Sequence, residues 1–128
     1  MNILTIEDNS DNFYLEQYLL QAHGHRVTGT TDGASGIALA QTLAFDVILL
    51  DIQLPDMDGH EVARRLLSIP DRRHIPVIAV TSFAMQGDRQ KALAAGCSGY
   101  IEKPIDPETF VAQVERIVRE KDTGHAGD

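Results

Sequence analysis

The amino-acid sequence predicts an α/β fold, in which a five-stranded parallel sheet carries helices on both faces. Two short runs, 47–50 and 77–80, are purely apolar, and a third, 3–6, is interrupted only by a threonine. Such runs are too short for helices and too apolar for half-exposed strands, so they indicate parallel strands covered on both faces. The more polar runs 26–28 and 99–101 are typical of edge strands. Strand and helix alternate five times, which predicts a (βα)₅ doubly wound sheet.

Each predicted strand is followed by a segment with the apolar spacing of a helix. In the last helix, Asp106 is suited to the N-cap and Pro107 to the first helical position. The fourth helix, around residues 88–95, is short and is expected to end at Gly96 in the left-handed conformation. The apolar positions that indicate the buried faces are Leu15, Tyr18, Leu19 and Ala22 in the first helix, Ala34, Ile37 and Ala38 in the second, Val62, Ala63, Leu66 and Leu67 in the third, and Phe110, Val114, Ile117 and Val118 in the last.

The length of 128 residues suits one domain with a core of its own. We expect residues 1–121 to form that domain and residues 122–128 to form a flexible tail. A tail of 7 residues is too short for an output domain, so a stand-alone domain is expected.

Charge and cysteine content exclude several classes of function. The chain has 11 basic and 19 acidic residues, and its net charge of −8 disfavours direct nucleic-acid binding. No apolar run is long enough to span a membrane, and we expect no signal peptide, because the first residues lack a basic start followed by a long apolar run. Cys97 is the single cysteine, which rules out an internal disulfide and a cysteine-based zinc site. We therefore expect a cytoplasmic protein that binds neither nucleic acid nor membrane.

Polar side chains follow four of the predicted strands. Glu7 and Asp8 come after the first strand, Asp51 after the third, Thr81 after the fourth and Lys103 after the fifth. Ligands bind beyond the carboxyl ends of strands in doubly wound sheets, so these side chains are expected to converge at one edge. Three close carboxylates repel one another unless a cation lies among them, and oxygen ligands with open positions suit Mg²⁺. With the lysine ammonium, one Mg²⁺ would balance the three charges and prepare the site for a phosphoryl group.

Several motifs together resemble the signature of response-regulator receiver domains. They are Glu7-Asp8-Asn9, the run 51–59 (DIQLPDMDG), Thr81 and Lys103-Pro104, in this order. The resemblance covers roughly residues 2–121 and implies the flavodoxin-like strand order 2-1-3-4-5. The first of these motifs and the segment 81–85 are most similar to single-domain regulators of the cell-division type and to the receivers of hybrid kinases.

The resemblance implies that Asp51 accepts a phosphoryl group from a phosphohistidine on a histidine kinase or a phosphotransfer protein. It also implies that Asp8 and Asp51, with Glu7 directly or through water and with the backbone carbonyl of Gln53, hold the Mg²⁺ ion. Such a protein phosphorylates and dephosphorylates only itself and is not an enzyme for external substrates.

A switch is implied by the same resemblance. Lys103 would pair with one phosphoryl oxygen, and Thr81 would donate its hydroxyl group to another. Movement of Thr81 would open space for the ring of Tyr100 to turn from exposed to buried. The output surface for a downstream protein would then be formed by the fourth helix, the fifth strand and the fifth helix.

Two positions are implied to tune the lifetime of the phosphorylated state. These are Gln53, two residues after the acceptor, and Phe83, two residues after the switch threonine. A large apolar side chain beside the phosphoryl group should hinder an in-line water molecule, so Phe83 predicts slow dephosphorylation.

Alternatives remain open at this point. The chain could be an interaction module that keeps the fold without ever accepting a phosphoryl group, or a phosphatase that acts on external substrates. Within the receiver interpretation, it could be an intermediate in a phosphorelay or a terminal regulator.

Overall fold

The computed structural model describes residues 1–72, 74–82 and 86–126, with the backbone alone at residues 86 and 122–126. Strands and helices alternate along this part of the chain. The strands are β1 (Asn2–Ile6), β2 (Arg26–Thr30), β3 (Val47–Asp51), β4 (Val77–Thr81) and β5 (Gly99–Glu102). The helices are α1 (Ser10–Ala22), α2 (Gly33–Thr42), α3 (Gly59–Leu67), α4 (Gln86–Ala94) and α5 (Phe110–Ala126).

The five strands form one parallel sheet in the order β2-β1-β3-β4-β5, which confirms the predicted fold class and strand order. The direction of winding reverses between β1 and β3, because the chain moves to one side for β2 and to the other for β4 and β5. In such sheets the crevice beyond the carboxyl ends of the strands at the reversal is the expected ligand site. Residues that follow β1 and β3 therefore occupy the central position.

Side chains alternate between the two faces of the sheet, and each face has its own apolar core. One core joins the sheet to α1 and α5 through residues such as Ile3, Leu20, Leu49 and Phe110. The other core joins the sheet to α2, α3 and α4. Strands β3 and β4 are buried along their whole length, as their apolar sequences predicted, whereas β2 is largely exposed.

Helix α5 begins at Phe110, so the predicted start at Pro107 is wrong. Asp106 instead caps a turn: its Oδ1 accepts from the backbone N–H of Glu108 at 2.9 Å, and its carbonyl accepts from the N–H of Phe110 at 3.0 Å. Residues 107–109 form this turn before the helix begins. The predicted stop of α4 is confirmed, because Gly96 has a φ of 102° just after the helix.

The backbone of α5 continues to Ala126 and is helical over much of the segment assigned to a tail. The flexibility of residues 122–128 stays a prediction.

Gly59 lies where α3 approaches the end of β3, and we predict that it tolerates no side chain. A Cβ atom at this position would lie 2.4 Å from the Cα of Ile52, whose carbonyl accepts from the Gly59 N–H at 3.0 Å. Because the obstacle is backbone, Gly59→Ala is expected to lower the free energy of unfolding by about 2–3 kcal/mol in urea denaturation. Gly87 in α4 is the control, since a Cβ there meets nothing within 4 Å. Gly87→Ala should stabilise the protein by up to about 1 kcal/mol. Equal effects of the two substitutions would contradict this packing argument.

Candidate functional site

Three carboxylates meet beyond the carboxyl ends of the central strands. Glu7 and Asp8 directly follow β1, and Asp51 is the last residue of β3. Each offers one oxygen atom, and these atoms all lie within 4.8 Å of one another. Glu7 and Asp51 are buried, with 2% and 4% of their surface exposed, whereas Asp8 is exposed. The predicted convergence of acidic side chains at one sheet edge is thus present.

Lys103 brings a cation to these carboxylates from the segment after β5. Its Nζ lies 2.6 Å from Oε1 of Glu7 and 3.5 Å from Oδ2 of Asp51. Its backbone N–H donates to the carbonyl of Thr81 at 2.8 Å, which continues the β4–β5 pairing and fixes where the side chain begins. The ammonium therefore bridges carboxylates from two different strand ends.

The crowding of charges in a buried site changes the proton affinities of its groups. Burial, together with a hydrogen bond to Glu7, raises the pKa of Asp51 to about 6. The backbone N–H of Gln53, which donates to Oδ1 of Asp51 at 3.0 Å, and the charge of Lys103 act in the opposite direction. Burial acts to lower the pKa of Lys103, but the hydrogen bond to Glu7 and the charge of Asp51 outweigh it and raise that pKa.

The donor set fits a small hard cation. Glu7, Asp8 and Asp51 supply three carboxylate oxygens in one cluster, which is more negative charge than one lysine can balance. The exposure of Asp8 leaves the cluster open to solvent on one side. Ligation of Mg²⁺ by the backbone carbonyl of Gln53 stays a prediction. The side chain of Gln53 is exposed and accepts a hydrogen bond from Ser82 Oγ at 3.3 Å.

Thr81 and Tyr100 lie on the sheet face opposite to that of Asp51. Thr81 ends β4 and is 1% exposed, and half-buried Tyr100 packs against the core under α2, α3 and α4. Thr81 pairs in register with Glu102, which makes Tyr100 its diagonal neighbour on the adjacent strand. The two predicted switch residues are therefore neighbours across one strand pair. Phe83, the predicted lifetime residue, lies outside the described residues.

Glu16 on α1 is a buried carboxyl that the sequence analysis missed. The predicted apolar stripe of α1 includes Tyr18, which is 62% exposed, whereas the buried residues are Glu16 and Leu20. Burial raises the pKa of Glu16 to about 8, and the charges of Glu7 and Asp51 add to that effect while Lys103 opposes it. The available signal was the spacing, because Glu16 lies one turn before the apolar Leu20 and shares its face.

The raised pKa of Glu16 predicts a pH-dependent stability. Between pH 5 and 8 the folded protein holds this proton more tightly than the unfolded chain does, so unfolding releases it and the free energy of unfolding falls as pH rises. Glu16→Gln removes this effect. The difference in unfolding free energy between variant and wild type should grow by up to about 1.4 kcal/mol per pH unit in this range. Urea denaturation without divalent cations checks it, and a difference that stays constant with pH would contradict it.

The sequence profile of the response regulator receiver domain matches residues 3–115. The chain belongs to this family. It is 40% identical over 114 residues to the polar-differentiation response regulator DivK of Brucella anthropi, a match that covers 89% of this chain and 93% of that protein. The match to DivK of Brucella ovis has the same identity and coverage.

Solved receiver structures share the fold. The receiver domain of sensor histidine kinase PA1611 from Pseudomonas aeruginosa PAO1 is 35% identical with a TM-score of 0.81, over 93% of this chain and 94% of that one. That crystal structure has a magnesium ion coordinated in its active site cleft. The chemotaxis response regulator CheY4 of Vibrio cholerae is 28% identical with a TM-score of 0.86, over 91% of this chain and 97% of that one. The present chain is thus a receiver domain of two-component signalling.

None of the helices within the described ranges has the length and apolar character needed to cross a membrane.

Proposed function

We propose that this receiver domain accepts a phosphoryl group on Asp51 from a histidine kinase or a histidine phosphotransfer protein. The observation that carries the proposal is the position of Asp51, whose buried carboxylate lies 3.5 Å from the Lys103 ammonium and in one cluster with Glu7 and Asp8. A carboxylate held beside a cation and further oxygen ligands is arranged to act as a nucleophile toward phosphorus. Membership of the receiver family supports the same reaction.

In the proposed reaction, an Oδ atom of Asp51 attacks the phosphorus of a phosphohistidine. The O–P bond forms as the P–N bond breaks, and the electron pair of the broken bond stays with the imidazole nitrogen, which one proton from solvent restores to neutral imidazole. The pKa of about 6 leaves Asp51 mostly ionised at pH 7, as the attack requires. The chemistry acts on the chain itself, so no external substrate is turned over.

The neighbouring side chains contribute position and charge. Lys103 would pair with one oxygen of a phosphoryl group on Asp51, because its ammonium lies 3.5 Å from Oδ2 of that residue. Thr81, buried at the end of β4, would donate its hydroxyl group to another phosphoryl oxygen. Because phosphoryl transfer needs little other covalent chemistry, these fixed charges and donors are the main contribution of the chain.

Glu7, Asp8, Asp51 and the backbone carbonyl of Gln53 are the groups that would hold Mg²⁺. When bound, Mg²⁺ supplies positive charge that offsets the negative oxygens of the phosphoryl group. The three-carboxylate cluster supports this assignment.

Signal output is proposed to follow from the switch residues. The diagonal placement of Thr81 and Tyr100 on one sheet face supports a coupling in which Thr81 moves toward the phosphoryl group and Tyr100 turns inward. The surface formed by α4, β5 and α5 would then bind a downstream protein. We also propose that Phe83 slows dephosphorylation and that Gln53 helps to set the dephosphorylation rate. Phe83→Glu tests the role of Phe83, because this variant is expected to lose its phosphoryl group faster than the wild type does.

The functional unit is proposed to span residues 1–121 and to act in the cytoplasm, through protein partners and not through nucleic acid or membranes. The net charge of −8 and the unpaired, buried Cys97 support this setting. Relay intermediate and terminal regulator are both consistent with the same acceptor chemistry.

Intact mass spectrometry after incubation with acetyl phosphate tests the proposal. We expect one phosphoryl group on the wild type in Mg²⁺, and loss of that product when a chelator removes the cation. No mass gain with acetyl phosphate or with phosphorylated partner proteins would favour the alternative of a phosphorylation-independent interaction module. Release of phosphate from many unrelated substrates would instead favour a phosphatase.

A further inference from the structure

Glu16 is buried on the same side of the sheet as the acceptor site. Its side chain is 1% exposed, and Leu20, one turn later on α1, belongs to the apolar core between the sheet and α1 with α5. Its Oε2 atom has no hydrogen-bond partner among the described residues. Ionising this carboxyl is costly, because neither solvent nor a hydrogen-bond donor among the described residues compensates charge on Oε2.

Alternation along the strands places the acceptor residues on this same face. Ile3 and Leu49 belong to the core beneath α1 and α5, so Thr5 on β1 and Asp51 on β3, each two residues further along, point the same way. The alternation extends to Glu7, whose N–H donates to the Thr30 carbonyl at 2.9 Å and prolongs the strand pairing.

The same alternation of side chains along β5 places Lys103 on this face of the sheet. It lies two residues after Ile101 of this core, and its N–H prolongs the β4–β5 pairing. Glu16 therefore lies against the layer of side chains that ends in the acceptor carboxylates and their ammonium.

Within the described part of the chain, the charged groups that act on Glu16 belong to the proposed acceptor site. They are Glu7 after β1, Asp51 at the end of β3 and Lys103 after β5. Helix α5, which covers the same face, contributes apolar side chains to the core in the part of the chain described, and Thr5 contributes a neutral hydroxyl. A change in the charge of Glu16 would thus be felt mainly by the groups that handle the phosphoryl group.

We infer that Glu16 is a positioning residue that sets the charge of the acceptor site, favouring phosphoryl acceptance when it is neutral and opposing it when it is ionised. The inference rests on the proposed function of Asp51. An ionised Glu16 competes with Asp51 for the Lys103 ammonium and repels the incoming phosphoryl oxygens. The same negative charge attracts a divalent cation, so Mg²⁺ binding and phosphoryl acceptance should respond to Glu16 in opposite directions.

The test compares the wild type with Glu16→Gln, which keeps the shape of the side chain and cannot ionise. At pH 7 the rates at which the two proteins accept phosphoryl groups from acetyl phosphate should differ less than at pH 9, because a larger fraction of Glu16 is protonated at the lower pH. At pH 9 the wild-type rate, at saturating Mg²⁺, should fall to about one third of the variant rate or lower. Mg²⁺ alone, titrated by calorimetry, should bind the wild type more tightly than the variant at pH 9.

Proton release gives a readout independent of phosphorylation. Calorimetry at pH 8 in buffers of different ionisation enthalpy should show that Mg²⁺ binding releases more protons from the wild type than from Glu16→Gln. Thr5→Val is the matched control, because it changes a buried polar group on the same face without changing a titratable charge. It should keep the wild-type pH dependence and proton count. If Glu16→Gln does not fold, Glu16→Leu takes its place.

Identical pH profiles and identical proton counts in wild type and Glu16→Gln would overturn the role of Glu16. A wild type that accepts no phosphoryl group would instead overturn the proposed function, and the proton count on Mg²⁺ binding would still decide whether Glu16 responds to charge at the site.

Discussion

Replacing Asp51 by Asn is expected to abolish phosphoryl acceptance entirely. The amide keeps the shape of the side chain but cannot attack phosphorus as a carboxylate does. Incubation with acetyl phosphate and Mg²⁺ should therefore leave the intact mass of Asp51→Asn unchanged, while the wild type gains one phosphoryl group. The variant should remain folded, because the neutral amide avoids the cost of burying an ionised carboxylate beside Glu7, and burial and Glu7 are what raise the pKa of Asp51. Its melting temperature is expected to equal or exceed that of the wild type without cations.

Asp56 provides the matched control for this substitution. It lies in the segment between β3 and α3 and is exposed, and its carboxylate accepts from the N–H groups of Gly33 and Ala34 at 2.9 and 3.0 Å. These hydrogen bonds lower the pKa of Asp56, so its role is to cap the start of α2. Asp56→Asn should still accept one phosphoryl group. A phosphoryl group that persists on Asp51→Asn, or disappears from Asp56→Asn alone, would show that the acceptor has been assigned to the wrong carboxylate.

Replacing Lys103 by Met is expected to slow phosphoryl acceptance by roughly 10²- to 10³-fold, the usual cost of removing one fixed charge from a transition state. Lys103 contacts both Glu7 and Asp51, and its side chain is only 11% exposed, so solvent compensates little for the loss of its charge. The pKa of Asp51 should also rise in the variant, since the charge of Lys103 acts to lower it. Stopped incubations with acetyl phosphate, analysed by intact mass, give the rate.

Lys91→Met is the control for the loss of a positive charge. Lys91 lies on α4 and is exposed, so its effect on the buried site is screened by solvent. Its removal should change the rate by less than about threefold. Comparable losses in both variants would mean that the net charge of the protein, and not the contact of Lys103 with the carboxylates, controls acceptance.

The strands most easily predicted from the sequence are those whose burial restricts them to apolar residues. Strands β3 and β4 are buried on both faces, so their sequences are purely apolar and their identity follows from composition alone. The start of α5 was predicted less well, because Asp106 and Pro107 suit a helix cap and a tight turn equally. Only the surroundings decide between the two.

Helix α1 shows why burial is harder to predict than secondary structure. The spacing of its apolar residues predicted Tyr18 on the buried face, yet Tyr18 is exposed and Glu16 is buried. Which face of a helix turns inward depends on the direction from which it crosses the sheet. Here the helix turns Glu16 inward, where the charges of Glu7, Asp51 and Lys103 act on its carboxyl. The spacing from Leu20 allows this orientation, but only the packing of the helix selects it.

The sequence by itself determined the fold class and the set of residues that carry the chemistry. Buried strands need apolar residues, and acidic, hydroxyl and amine side chains at strand ends must meet at one edge of a parallel sheet. The tertiary structure alone decided the pairing of Lys103 with Glu7 at 2.6 Å, the raised pKa of Asp51 and the burial of Glu16. These properties depend on distances of a few ångströms and on the exclusion of water, which arise only when distant segments of the chain pack together.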